Sequence, residues 1–94
     1  MVRSQARIAT GNAERYAQQM CKHFGHKTEA HYADGKGSVR LSNGACLLTA
    51  GADGLTLEVE AEDEERLAAT ETTVARHIER FAWREAPTIA WSRP

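Results

Sequence analysis

The sequence predicts an α+β fold in which a curved antiparallel β-sheet carries two helices on one face. Two observations predict it. Three turn dipeptides, Asp34-Gly35, Asn43-Gly44 and Asp53-Gly54, punctuate the middle of the chain into pieces of strand length. Amphipathic helical patterns lie on both sides of this strand-rich middle, an arrangement typical of α+β rather than α/β proteins. The predicted element order is β-α-β-β-β-β-α-β.

A change of period separates the first strand from the first helix. Segment 2–8 alternates between inward and outward positions, as a half-exposed strand does. Segment 10–12, "TGN", supplies side chains that can cap the following helix. Gly25 is expected to stop the helix, at a position where a left-handed residue costs glycine least. The apolar residues between them form one helical face: Ala13, Tyr16, Ala17, Met20, Cys21 and Phe24.

Four short strands are predicted between the turns. Their sequences are "EAHY" (29–32), "GSVRL" (37–41), "ACLLTA" (45–50) and "LTLEVE" (55–60). The third differs from its neighbours because it is apolar on both alternating faces. A central position in the sheet explains part of this pattern. A second copy of the chain covering the helix-free face would explain the rest, so a homodimer through that face is one expectation.

The second helix is predicted to begin in "EDEE" (62–65). Asp63 is a suitable N-cap, and the acidic residues lie at the positive end of the helix dipole. Its apolar face consists of Leu67, Val74, Ile78 and Phe81. Pro87 prevents continuation of the helix, and "TIAW" (88–91) is predicted to be a closing strand.

Composition limits the classes of protein that fit this chain. Its 94 residues predict one domain, 1–94. The net charge of −1 and the sequence pI of 6.4 give no reason to expect binding to nucleic acid. The mean hydropathy of −0.54 and the short apolar runs argue against a membrane segment, and the N-terminus lacks the features of a signal peptide. Two distant cysteines, Cys21 and Cys46, favour a cytoplasmic chain with reduced thiols.

Two motifs carry a resemblance to a known family. They are "CKHFGHK" (21–27) and the pattern HxxRFAxRE (77–85). Over nearly its whole length the chain resembles domain-of-unknown-function family 2218, a group of small bacterial proteins. The resemblance implies no established activity, and it implies a setting beside siderophore-handling and iron-uptake proteins. Fold analogy indicates a sheet of the TATA-binding-protein-like type, β-α-β4-α, which hosts unrelated functions.

A dense group of histidines at the end of the first helix raises the question of a metal site. His23 lies at the edge of the apolar stripe and His26 just beyond Gly25, where a histidine can interact with the last carbonyl groups. This helix-end role is the favoured interpretation. His77 occupies a similar edge position on the second helix. If the helices lie side by side, His23, His26 and His77 would form a candidate zinc or iron site, although no known metal motif accompanies them.

The exit of the second helix holds a candidate interaction surface made of Arg80, Trp83 and Arg84. Tryptophan and arginine are frequent anchors of interfaces, and arginines also bind anionic ligands. The favoured alternative is that Phe81 packs inward, Trp83 covers the edge of the core, and the arginines pair with nearby glutamates.

We therefore expect a non-enzymatic cytoplasmic interaction or small-ligand-binding module, associated with siderophore or iron handling. No nucleophile–base pair, carboxylate dyad or cofactor fingerprint is visible in the sequence, and no cofactor is required by it. The alternative is a metal-binding or metal-dependent protein that uses His23, His26 and His77 to hold zinc or iron.

Overall fold

The computed structural model describes residues 1–26 and 28–93 of the chain; Lys27, part of the first motif, lies outside the described residues. It confirms the α+β class and the order of the first seven elements. These elements are β1 (Val2–Ala9), α1 (Ala13–Gly25), β2 (Ala30–Ala33), β3 (Lys36–Arg40), β4 (Ala45–Ala50), β5 (Gly54–Ala61) and α2 (Glu64–Phe81).

The five strands form one antiparallel sheet in the order β1-β5-β4-β3-β2. β4 lies in the middle, in agreement with one of the two explanations given above for its apolar faces. Both helices pack on one face, where they share a single core with the inward side chains of the strands. The largest fully buried side chains include Met20, Leu48, Leu55, Leu57, Leu67 and Ile78. Each such side chain stabilises the fold by about 1.5–3 kcal/mol relative to an exposed one.

Helix α1 buries all six residues of the predicted apolar stripe. It ends at Gly25, as predicted, but by another mechanism, because neither Gly25 nor His26 has a positive φ. The backbone N–H of His26 instead donates to the carbonyl of Phe24. At the other end Asn12 is the N-cap without a side-chain bond, and the hydroxyl of Thr10 accepts the N–H of Asn12 at 3.0 Å.

Helix α2 begins as predicted, with the Asp63 carboxylate accepting the N–H of Arg66 at 2.8 Å. The buried stripe includes Thr70, whose hydroxyl donates to the carbonyl of Arg66 at 2.9 Å and so brings no unsatisfied polar group into the core. Among the described residues, no helix is long and apolar enough to cross a membrane.

The three turn dipeptides lie where they were predicted, but only one uses a left-handed backbone. Asp34 and Gly35 have φ angles of 52° and 79°, as a two-residue hairpin turn requires. Gly44 instead allows a close approach, since a Cβ there would lie 2.3 Å from the carbonyl oxygen of Glu60 and 2.7 Å from Oγ1 of Thr70.

The predicted closing strand over 88–91 is reduced to a single bridge beside β1. The N–H of Gln5 donates to the carbonyl of Ser92 at 2.9 Å, and the N–H of Ser92 donates back at 2.8 Å. Ile89 and Trp91 pack partly buried against the core. The predicted strand therefore does not form over 88–91, where the side chains alternate between exposed and partly buried, and the backbone pairs only at Ser92, just beyond that range.

Candidate functional site

The face of the sheet opposite the helices, here called the open face, is arranged in rows that cross all five strands. The antiparallel registers align one outward residue from each strand. The central row is Gln5, Glu58, Leu47, Ser38 and His31. The charged row is Arg3, Glu60, Ala45, Arg40 and Glu29. The outer row is Arg7, Thr56, Thr49, Lys36 and Ala33. Glu29 precedes β2 but continues its register, because its carbonyl accepts the N–H of Arg40 at 2.9 Å.

Ion pairs hold the long side chains of the charged row. Nε of Arg3 lies 3.3 Å from Oε2 of Glu60, and Nε of Arg40 lies 3.8 Å from Oε2 of Glu29. All four side chains are well exposed, so each pair contributes at most about 1 kcal/mol to stability. The two pairs also shape the open face. Each pair forms a wall that contains one positive and one negative side chain, and the small side chain of Ala45 lies between the two walls.

Between these walls lies a concavity of about 420 Å³. Its apolar floor is formed by Ala45 and by Leu47, which is 52% exposed although it belongs to the central strand. Polar groups of the central row, including Ser38 and His31, line the same space. An apolar centre with hydrogen-bonding groups around it is the usual composition of a recognition surface.

A second group of side chains lies between the helices and is here called the ring cluster: His23, Phe24, His77 and Phe81. The ring centroids of His23 and His77 are 4.9 Å apart, and those of Phe24 and His77 are 4.8 Å apart. Nδ1 of His77 lies 2.7 Å from the carbonyl oxygen of Thr73. In the tautomer that donates this bond, Nε2 of His77 keeps a lone pair.

The predicted histidine set is therefore formed in part. The structure brings His23 and His77 together, as expected from helices lying side by side. His26 is exposed at the end of α1 and is absent from the ring contacts found in the described chain. Across residues 1–26 and 28–93, no group of three His, Cys, Asp or Glu side chains is placed to hold a metal ion.

The exit of α2 presents an aromatic and basic surface. Trp83 is 68% exposed, so the expectation that it covers the edge of the core is wrong. Phe81 does pack inward, and the guanidinium carbon of Arg84 lies 5.1 Å from the centroid of the Trp83 ring. Arg80 is exposed nearby on α2. A binding role for Arg80, Trp83 and Arg84 stays a prediction.

Comparison with known proteins gives the family. The model of a family described as "Uncharacterized protein conserved in bacteria (DUF2218)" matches residues 5–92. This chain belongs to DUF2218. It is similar over 98% of its length to the NMR structure of PA4090 from Pseudomonas aeruginosa, with 35% sequence identity, a TM-score of 0.83 and coverage of 96% of that chain. None of the curated proteins matches it.

One polar network of this DUF2218 protein was missed in the sequence. The carboxylate of Glu85 accepts hydrogen bonds from the hydroxyls of Thr10, at 2.8 Å, and Tyr16. The bond from Tyr16 is the main cause of a lowered pKa of Glu85, while burial, followed by that same bond, raises the pKa of Tyr16. Glu85 ends the second motif and Thr10 begins the capping segment. These two positions were therefore singled out in the sequence, but nothing in the sequence related one to the other. The network ties the end of α2 to the start of α1.

A second network fixes the C-terminal segment of the DUF2218 protein. Nη1 of Arg93 lies 2.5 Å from Oε2 of Glu71, which also accepts the hydroxyl of the buried Ser4. Nη2 of Arg93 lies 3.0 Å from Oε2 of Glu64. Hydrogen bonding to Glu71 is the main cause of a raised pKa of Arg93. These bonds hold the segment beside β1.

The two thiols are buried and form no disulfide with each other. Burial raises the pKa of Cys46 to about 12 and also raises the pKa of Cys21. Since the thiolate is the nucleophile, both cysteines behave as small core residues.

Proposed function

We propose that this DUF2218 protein is a non-enzymatic cytoplasmic interaction module that binds a protein or small ligand on its open face. The observation that carries this proposal is the half-exposed Leu47 at the floor of a concavity walled by charged side chains. On this sheet the core needs only the face that contacts the helices. Exposed apolar surface bordered by polar groups is typical of binding sites.

The setting of the proposal has separate support. Two buried cysteines without a mutual disulfide fit a reducing compartment, which is the reason to propose the cytoplasm. The family resemblance is the reason to propose a role beside siderophore and iron handling. Ferric complexes of hydroxamate and catecholate chelators are therefore the first ligands to test.

The experiment is an NMR titration of the ¹⁵N-labelled protein with ferric and, as diamagnetic analogues, gallium complexes of these chelators, and with a fragment library. We expect shift changes to cluster on the strands around Leu47. The variant Leu47→Lys should weaken binding by about tenfold or more, since it places a charge in the apolar floor. The matched variant Trp83→Lys removes another exposed apolar side chain and should bind normally. Shift changes confined to the exit of α2, or equal binding by both variants, would contradict the proposal.

A second candidate function is transition-metal binding through His23 and His77, favoured by the contact between their rings. Imidazole nitrogens suit zinc, iron and nickel, and two ligands leave positions for water or a further ligand. Calorimetric titration with Zn²⁺, Ni²⁺ and Fe²⁺ tests this function. Stoichiometric binding that His23→Ala/His77→Ala abolishes and His31→Ala retains would support it. Binding that the double variant retains in full would contradict it.

A further inference from the structure

The order of signs along the charged row has a special property. When the row is turned end to end, each charged position lies opposite a position of the other sign. From β1 to β2 the row has positive Arg3, negative Glu60, neutral Ala45, positive Arg40 and negative Glu29. Read from the other end, every positive position becomes negative and every negative position becomes positive. Ala45, on the middle strand of the sheet, is the point about which the order reverses.

We infer that a second copy of this chain covers the open face, packed face to face about a two-fold axis parallel to β4. Such an axis reverses the order of the strands and keeps each row at its own level. Arg3 then faces Glu29 of the second copy, and Glu60 faces Arg40 of the second copy. The inference rests on the proposed function, because it names the partner that the open face binds.

The resulting contacts extend the ion pairs within each chain. Arg3 already pairs with Glu60, and Arg40 already pairs with Glu29. Stacking the two sheets places each of these charges between two opposite charges, so that four side chains alternate in sign around a ring. Complementary charges of this kind fix the register of the two copies and disfavour arrangements in which like charges meet.

The other two rows fit the same arrangement. In the central row, Leu47 packs against Leu47 of the second copy on the two-fold axis. Glu58 faces the hydroxyl of Ser38 of the second copy. In the outer row Lys36 faces Thr56. Within the three rows, no charged side chain faces one of the same sign.

The alternative two-fold axis, perpendicular to the strands in the plane of the sheet, is disfavoured by the same charges. It would place each strand over its own copy. With this axis along the central row, Glu58 of β5 would face Glu58 of the second copy, and Arg40 of β3 would face Lys36 of the second copy. Like charges opposed in this way cost free energy and suppress the wrong arrangement.

The size of the face sets the expected strength. Five strands spaced about 4.8 Å apart and about six residues long give a footprint of roughly 24 by 20 Å on each copy. Both footprints together approach about 1,000 Å², at the small end of specific interfaces. We therefore expect a dimer with a dissociation constant in the micromolar range rather than an obligate dimer.

The test uses two variants with opposite charge on the open face. The acidic variant, Arg3→Glu/Arg40→Glu, has only negative charges in the charged row, and the basic variant, Glu29→Arg/Glu60→Arg, has only positive ones. Sedimentation equilibrium from about 5 μM to about 1 mM covers the expected dissociation constants. Wild-type protein should dimerise, each variant alone should be monomeric, and an equimolar mixture of the two should form a heterodimer.

Matched controls carry the same change in net charge at exposed positions of the helices, on the other side of the sheet. They are Arg15→Glu/Arg76→Glu and Glu65→Arg/Glu79→Arg, and both should dimerise like the wild type. Circular dichroism checks that every variant is folded. The single variant Leu47→Lys, which opposes two ammonium groups on the axis, keeps the inference testable if either double variant fails to fold.

A wild-type protein that stays monomeric at about 1 mM would overturn the inference, since micromolar affinity would give mostly dimer there. A dimer that the acidic, basic and Leu47→Lys variants all retain would also overturn it. The proposed function fails on a different result. If the protein is monomeric and its open face still binds ferric chelates, only the inference of a second copy is wrong. If the protein dimerises through another face and the open face binds no ligand, both the inference and the proposed function are wrong.

Discussion

Replacement of Gly44 by alanine should strongly destabilise the fold, because the loop between β3 and β4 depends on a close approach. A Cβ at this position would lie 2.3 Å from the carbonyl oxygen of Glu60, about 1 Å short of the ordinary contact distance of 3.4 Å. It would also lie 2.7 Å from Oγ1 of Thr70, which is bonded to the backbone of α2. Neither atom is the end of a flexible side chain. Overpacking of this kind costs about 1–3 kcal/mol, and two rigid contacts place Gly44→Ala near the upper end.

The assay is thermal and urea unfolding followed by circular dichroism. A loss of 2–3 kcal/mol lowers the midpoint temperature of a domain this size by about 10–20 °C. Gly25→Ala is the matched control, because no atom lies within 4 Å of its Cβ position and the residue is helical. It should stabilise the protein by about 0.5–1 kcal/mol. Equal stability of the two variants would refute the explanation of Gly44 as a close-approach residue.

Three further predictions follow from the polar and buried groups. Because the pKa of Glu85 is lowered in the folded state, its contribution to stability is present above the ordinary value of 4.5 and is lost as the pH falls through the folded value. The stability difference between wild type and Glu85→Gln should therefore shrink on acidification in urea unfolding, and Tyr16→Phe should move the NMR-titrated pKa of Glu85 back up; an unchanged difference between pH 7 and 3 would contradict this. Cys46 should react with a disulfide reagent at pH 8 only as fast as the protein opens, given its burial and its pKa of about 12, and rapid labelling would contradict it. Asp63→Ala should cost about 1 kcal/mol in thermal unfolding through loss of the cap on Arg66 N–H, whereas Asp63→Asn should cost less.

The elements were predictable from the sequence because their signals are local. The stripe of α1 repeats every three to four residues, and burial of that stripe against the sheet requires the same spacing. The cap at Asp63 acts on a residue three positions away. The central position of β4 was only one of two explanations for its apolar sequence, and the pattern does not decide it, since β3 and β5 also have a neighbour on each side and yet alternate with polar residues.

Contacts between distant parts of the chain were not predictable in this way. Tyr16 and Glu85 are 69 positions apart, and no periodicity relates them. Trp83 was expected to cover the core because tryptophan is large and apolar, but the chain turns after Phe81 and leaves it exposed. The contact of His23 with His77 was considered only on the condition that the two helices lie side by side, which the sequence does not establish. The separation of His26 from these two rings depends on how α1 ends.

The arrangement of side chains on the open face could not be predicted from the sequence. Alternation in "LTLEVE" identifies which residues point outward, but the neighbours of Glu60 follow only from the strand order, in which β1 pairs with β5. Folding constrains the inward residues through burial, and it requires of the outward ones little beyond polarity. An order of charges that reverses about Ala45 is therefore not needed to form the sheet. Together with the exposure of Leu47, it is the feature of the molecule that a partner with the same pattern would match.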